Sequence, residues 1–217
     1  MKILTVSDEV KKSFFKEDTL KEKCRGIDLI LACGDLPPYY LEYLVNRLSI
    51  PLYYVPGNHD DKYCQPSKGR DFSIKGCENI DQRVIVFKDL LIGGLAGSFR
   101  YKKGKFLYTE EQMHRKILRM YPYLLFNKIR YKHYIDIMIT HAPPFGINDE
   151  EDLAHRGFKE FLVFMKRYHP AYLIHGHTSR HGGEGKKISS YHATCVINTN
   201  PYRVLEINDA DLRRHHN

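Results

Sequence analysis

Asn58, His59 and Asp60 arrive together behind Gly57, where the apolar run "PLYYV" ends. Gly, Asn and Asp alone would make an ordinary turn after a strand. An imidazole set among them is different, because it can ligate a metal and exchange a proton near neutral pH. Four more apolar segments end in the same class of residue. Asp8 follows "ILTVS", Asp35 follows "LILACG", His141 follows "DIMIT" and His177 follows "YLIHG". Ligands of an open α/β sheet collect beyond the carboxyl ends of its strands. Five strands delivering carboxylates, an amide and imidazoles to one rim would build a metal site. That mixed donor set suits Mn, Fe, Co, Ni or Zn better than Ca or Mg. A set of unrelated polar turns is the competing reading.

The elements that must position these residues follow from pattern. In the first half, "KILTVS", "IDLILACGD" and "PLYYVPGNHD" read as buried strands running into turns. Between them lie a short helix, "EDTLKEKC", and an amphipathic one, "YYLEYLVNRL", with Leu41, Leu44, Val45 and Leu48 on one face. Strands alternating with helices predict parallel βαβ units. "RVIVFKDLLIGGLAGS" reads as a hairpin turning at Lys88-Asp89. Residues 109–132 read as two helices, capped by Thr109 and broken near Pro122. Then come the strand "YIDIMIT", an amphipathic helix over "DLAHRGFKEFLVFMKRYHP", the strand "AYLIH", and two last strands about Asn200-Pro201. With no repeat, linker or low-complexity run, residues 1–217 read as one domain.

Composition narrows the setting. The chain has 217 residues, a net charge of +8 and a pI near 9.1. Such a charge favours anionic partners, although a basic surface also serves solubility. No stretch is long and apolar enough to span a bilayer, and the apolar start before Asp8 is too short for a secretory leader. No membrane partner is expected. Cysteines 24, 33, 64, 77 and 195 are odd in number and widely spaced, which predicts free thiols in a reducing cytoplasm. Neither an RNA-binding signature nor a base-stacking motif supports a nucleic-acid partner.

The ordered blocks "VSDEV", "ACGDL", "PGNHD", "THAPP" and "HGHTS" resemble the calcineurin-like metallophosphoesterase superfamily. The resemblance implies an α/β fold, a two-sheet β-sandwich flanked by helices. It implies hydrolysis of phosphate mono- or diesters at two metals by metal-activated hydroxide. Asp35 would bridge both metals, with Asn58, His141 and His177 completing one site and Asp8 serving the other. His59 would be the catalytic imidazole, oriented by Asp60. Gly34, Gly57 and Gly176 would let the loops turn tightly enough for the ligands to converge. Two positions depart from the family pattern. Val10 and Ser179 stand where histidines of the first metal site are usual, so one tight and one weak site are expected.

His155, Arg156 and Arg100 are candidate phosphate-binding residues. The first two are read at a helix start, where an anion is welcome. Arg100 is read in a loop, where an exposed charge is the alternative. The expected substrate is a phosphate-ester small molecule or nucleotide, a diester slightly favoured. The rival reading is a catalytically weakened relative that serves as an interaction scaffold.

Overall fold

The computed structural model describes residues 1–63, 73–178, 188–208 and Leu212. Thirteen strands are present among them: β1 Lys2–Val6, β2 Leu29–Ala32, β3 Leu52–Tyr54, β4 Glu78–Asn79, β5 Val84–Phe87, β6 Leu90–Leu95, β7 Ser98–Phe99, β8 Leu107–Tyr108, β9 Ile137–Thr140, β10 Tyr172–His175, β11 Ile188–Tyr191, β12 Thr194–Asn198 and β13 Tyr202–Glu206. The α-helices are α1 Glu17–Lys23, α2 Pro38–Leu48, α3 Glu110–Tyr131 and α4 Lys159–Tyr168.

Eleven of these strands form two large mixed sheets, and β7 and β8 pair with each other. One has the order β13-β1-β2-β3-β4, and the other β11-β12-β10-β9-β6-β5. In each, the central strands run parallel; β13 is antiparallel at one edge of the first sheet, and β11 and β5 are antiparallel at the two edges of the second. Strand residues alternate between faces, and here both faces are apolar. Ile3, Leu29 and Leu31 point between the sheets, meeting Ile92, Ile137, Ile139 and Ile174 from the other. Their neighbours Leu4, Val6, Ile30 and Ala32 point outward under α1 and α2, packing on Leu20, Tyr40, Leu41 and Leu44. Met138, Leu173 and Val196 do the same on the second sheet, beneath Met113, Ile117 and Met120 of α3 and Phe161, Phe164 and Met165 of α4. The result is a four-layer α/β/β/α sandwich, as the sequence predicts. Each Leu, Ile or Phe so buried contributes on the order of 1.5–3 kcal/mol.

The hairpin at Lys88-Asp89 forms, with Phe87 opposite Leu90. Two helix expectations need correction. Pro122 does not break the helix that Thr109 caps; α3 runs through it. The proline stands on the solvent side, where the Leu118 carbonyl it frees can bond water, while Met113, Ile117, Met120 and Leu124 hold the other side against the sheet. The helix expected from residue 152 begins only at Lys159. Before it, Asp152 Oδ1 accepts the amides of Ala154 and His155 at 2.8 and 3.1 Å, and Asp149 accepts that of Gly157 at 3.1 Å. These side-chain bonds compete with the helical ladder and win locally. Glu110 then caps α4 from outside, its carboxylate accepting the amides of Lys159 and Glu160 at 2.9 and 3.2 Å.

Candidate metal centre

Strands β1, β2, β3, β9 and β10 end on one rim and deliver Asp8, Asp35, Asn58, His141 and His177 there. Three of these, Asp8, Asp35 and His177, have φ of 61°, 58° and 69°, in the left-handed region. Asp and His tolerate it better than most residues, and such backbone strain concentrates at functional sites.

The loops interlock through their own polar atoms. His59 N–H donates to Asp35 Oδ1 at 2.8 Å. Asp60 Oδ2 accepts the amides of Gly57 at 2.8 Å and Asp35 at 3.0 Å. Asp60 thus braces both loops, and its hold on His59 runs through the backbone it fixes. The His177 amide bisects the Asp8 carboxylate, 3.1 and 3.0 Å from its two oxygens. Two glycines make this nesting possible. A Cβ on Gly57 would lie 2.2 Å from Asp35 Oδ1, and one on Gly176 would lie 2.4 Å from Asp8 Oδ2.

His141 is fully buried, and its two ring nitrogens have different partners. Nδ1 lies 2.7 Å from the Cys33 carbonyl oxygen, so it carries a hydrogen and donates. Nε2 lies 2.8 Å from Asn58 Oδ1 and 3.3 Å from Asp35 Oδ2. A neutral ring would aim a lone pair at two oxygens, so this arrangement calls for a cation between them. In a metal-free pocket the cation is a proton. Burial alone would lower the His141 pKa, but the Asp35 carboxylate, helped by Asp8, holds it at about 9. Reciprocally, burial would raise Asp35, and His141 pulls it down to about 2.

His177 completes the group, its ring centroid 4.7 Å from that of His141. Its Nε2 donates to the Ala154 carbonyl at 2.7 Å, which leaves the lone pair on Nδ1. Burial, then the charge of His141, lowers its pKa to about 3, so it stays neutral and able to ligate. One ligand atom each from Asp35, His141 and His177 lie within 4.8 Å of one another. An acidic oxygen, an amide oxygen and two oriented imidazoles fit a divalent transition metal.

The other half of the rim is thinner. Asp8 faces the same cavity, its pKa raised to about 6 by burial. Val10 packs against the apolar cluster under α1 and α2 and offers no ligand. Ser179 lies outside the described residues.

The cavity over the rim holds about 360 Å³ and is lined by Asp8, Asp35, Asn58, His59, Lys62, Tyr101, Ala154, His155 and His177. His59 is exposed there. His155 reaches it from the loop before α4, its ring 5.1 Å from that of His177. Asp152 Oδ2 accepts from His155 Nδ1 at 2.8 Å and aims the ring. Lys62 and Tyr101 belong to the lining although sequence reasoning did not select them. Lys62 sits three residues after His59, in the 3-10 turn Asp60–Tyr63, and that proximity was the available signal.

The two candidate arginines fall elsewhere. The Arg100 guanidinium donates to the Leu107 carbonyl at 3.2 and 3.1 Å and to Gln112 Oε1 at 2.8 Å, tying β8 to the start of α3. Arg156 lies over the Phe99 ring at 5.8 Å and lines a neighbouring cavity with Glu110, Phe145 and Lys159. His175, buried behind the rim, contacts the Gly176 carbonyl at 2.9 Å and Asn148 Nδ2 at 3.2 Å.

Comparison with known proteins agrees with this architecture. No curated protein matches the sequence. Among solved structures, TT1561 of Thermus thermophilus is similar over 99% of this chain and 95% of its own, with 18% identity and a TM-score of 0.63. GAP50, the anchor in the inner membrane complex of Plasmodium, is similar over 91% of this chain and 70% of its own, with 13% identity and a TM-score of 0.51. Likeness at such identities concerns the fold alone. The family model for calcineurin-like phosphoesterases matches residues 1–181, most of the chain. With that match and the sandwich and rim described above, the chain belongs to the calcineurin-like phosphoesterase family of metal-dependent hydrolases.

Proposed function

We propose that this protein hydrolyses a phosphate ester in the cavity above the rim, with a phosphodiester preferred. The observation that carries the reading is the convergence of His141 Nε2, Asn58 Oδ1 and Asp35 Oδ2, a buried ligand set suited to a cation. Asp35, Asn58, His141 and His177 would hold one divalent metal tightly; Asp8 and Asp35 would hold a second weakly. Bound there, the metals would lower the pKa of a water toward neutrality and neutralise phosphoryl oxygens. Mn, Fe, Co, Ni and Zn are the expected ions.

The chain's own groups do the rest. Asp60 keeps the loop of His59 against that of Asp35, which sets where the imidazole stands. The His59 ring, exposed in the cavity, is placed to give its proton to the leaving oxygen. Lys62 supplies positive charge for the phosphate, and His155, aimed by Asp152, supplies a further N–H donor. The cavity is open and the chain basic, which is why a diester with two substituents suits it better than a small monoester. A nucleotide fits the same requirement.

The cysteines accord with a reducing cytoplasm: Cys24, Cys33, Cys77 and Cys195 are all free thiols, and Cys64 lies outside the described residues. No described helix is long and apolar enough to cross a membrane. A second reading, an interaction scaffold without useful turnover, is motivated by Val10, whose packing leaves the first metal short of a ligand.

One experiment separates the two. Apo-protein is titrated with Mn by calorimetry, and hydrolysis of para-nitrophenyl monoester and bis-para-nitrophenyl diester is followed across the same titration. The proposal expects one tight and one weak equivalent, with diester turnover rising as the weak site fills. Metal binding with no hydrolysis of any ester, under Mn, Co, Ni, Zn or Mg, would favour the scaffold. Two equally tight sites would show that another residue has replaced the missing histidines.

A further inference from the structure

Helix α3 is apolar on two sides. Its inward side, Met113, Ile117, Met120 and Leu124, is buried against the second sheet. Successive residues are about 100° apart around the axis. On that wheel Leu118, Pro122, Leu125 and Ile129 follow the i, i+4, i+7, i+11 spacing and make a stripe on the opposite side. Phe126 borders it. These side chains stand in solvent, with Leu118 50% exposed, Phe126 62% and Ile129 66%. On the adjacent α4, Val163 is also exposed. A helix with apolar residues all round is normally buried all round, and contiguous apolar surface on a soluble chain usually marks a docking site.

The polar residues around the stripe say what docks. About 100° to one side stand Arg119, Arg130 and Tyr123; about as far to the other stand Lys128 and Tyr121. From Leu118 to its end at Tyr131 the helix carries three cations and no acid, and Lys132 follows directly as its C-cap. Arg167 of α4 adds its charge over the Tyr121 ring, 5.7 Å away. An apolar ridge flanked on both sides by basic and tyrosyl side chains matches the layering of a bilayer surface. There the acyl boundary takes Leu, Ile and Phe, while Arg, Lys and Tyr reach the headgroups. A second copy of this chain fits poorly, because two-fold pairing of α3 would set these cations against themselves.

We propose that the outward face of α3 docks on the surface of an anionic membrane, with Leu118, Leu125, Phe126 and Ile129 at the acyl boundary and the flanking cations on headgroup phosphates. This is attachment to a surface, not a crossing, and it departs from the sequence expectation that no membrane is involved.

The test is cosedimentation of the full chain with vesicles of phosphatidylcholine alone or mixed with phosphatidylglycerol, at low and high salt. Wild type should bind the anionic vesicles, bind neutral ones weakly, and be released as salt shortens the range of the charges. The double variant Phe126→Ser, Ile129→Ser should partition at least about tenfold less. Each of Arg119→Gln and Arg130→Gln should lower partition roughly fivefold. All four positions are exposed, so melting temperature should stay near wild type and serves as the folding control. Absence of binding to anionic vesicles at low salt overturns the proposal. So does binding that survives the Phe126→Ser, Ile129→Ser change. A dimer seen in light scattering and dispersed by that same change, without vesicle binding, would assign the face to a second copy instead.

Discussion

The acceptor cluster around His141 makes a prediction for the metal-free protein. The His141 pKa stands at about 9 in the folded chain against 6.5 for an unperturbed imidazole. A folded pKa above the unfolded one adds stability that is fully present below the unfolded value and is lost as pH rises through the folded value. For a shift of this size the full contribution is roughly 3 kcal/mol, of which about 2 kcal/mol disappears between about pH 7.5 and 9.5. The carboxyl and imidazole groups near the rim titrate lower, Asp8 at about 6, Asp60 at about 7, His175 at about 4 and His177 at about 3, whereas burial pushes the thiols of Cys24, Cys33 and Cys77 up. Between about pH 7.5 and 8.5 the slope therefore belongs to His141, and above that the buried thiols, which ionise more readily once unfolded, add to it. In chelator, urea unfolding should show the folded state weakening between about pH 7.5 and 9.5, with a melting temperature falling roughly 4–8 °C. A divalent metal needs the proton's place on Nε2, so excess Mn should flatten the slope, and metal affinity should rise with pH over the same interval. His141→Asn should remove the larger, earlier part of the slope in chelator, leaving only the thiol part that sets in near about pH 9. A pH-independent stability of the chelated wild type across that interval would refute the reasoning, because His141 would then be neutral beside Asp35 and Asn58.

Three further outcomes follow from the same geometry. His59→Ala should keep fold and metal content but lose about 10²–10⁴ in turnover, the range for a positioned acid; near-full activity with every metal would remove His59 from the chemistry. Asp35→Asn should strip at least one metal equivalent, read by elemental analysis, and unchanged metal content would end its bridging role. Gly57→Ala places a Cβ 2.2 Å from Asp35 Oδ1 in a loop that cannot retreat, since Asp60 Oδ2 holds the Gly57 amide. The Asp35 carboxylate must move, so tight metal binding should weaken at least about tenfold, measured by calorimetry; an unaltered titration would show that the two loops are not locked together.

The rim was legible because its residues follow buried strands directly. Once "ILTVS", "LILACG" and "DIMIT" are strands, chain direction alone puts Asp8, Asp35 and His141 at one edge, and the loops need only be short. Where a side chain must cross a longer loop, that logic stops. Arg100 lies two residues beyond Ser98, yet it turns to the Leu107 carbonyl and Gln112, partners nothing in the local sequence identifies. Tyr101, its neighbour, faces the cavity instead. The helix before His155 failed for a different reason. Apolar spacing in "DLAHRGFKEF" is helical, but Asp152 and Asp149 offer their carboxylates to the nearest amides, and a bond two or three residues away forms at less entropic cost than a new helical nucleus. That misreading matters to function, because the turn, not a helix, is what sets His155 on the cavity and Ala154 against His177 Nε2. Apolar periodicity would not have resolved α3 either. It marks the residues that avoid water but not what they avoid it against. The outward stripe of Leu118, Leu125 and Ile129 stayed invisible, because a pattern with two apolar faces looks like one strongly apolar helix until the sheet claims only one of them.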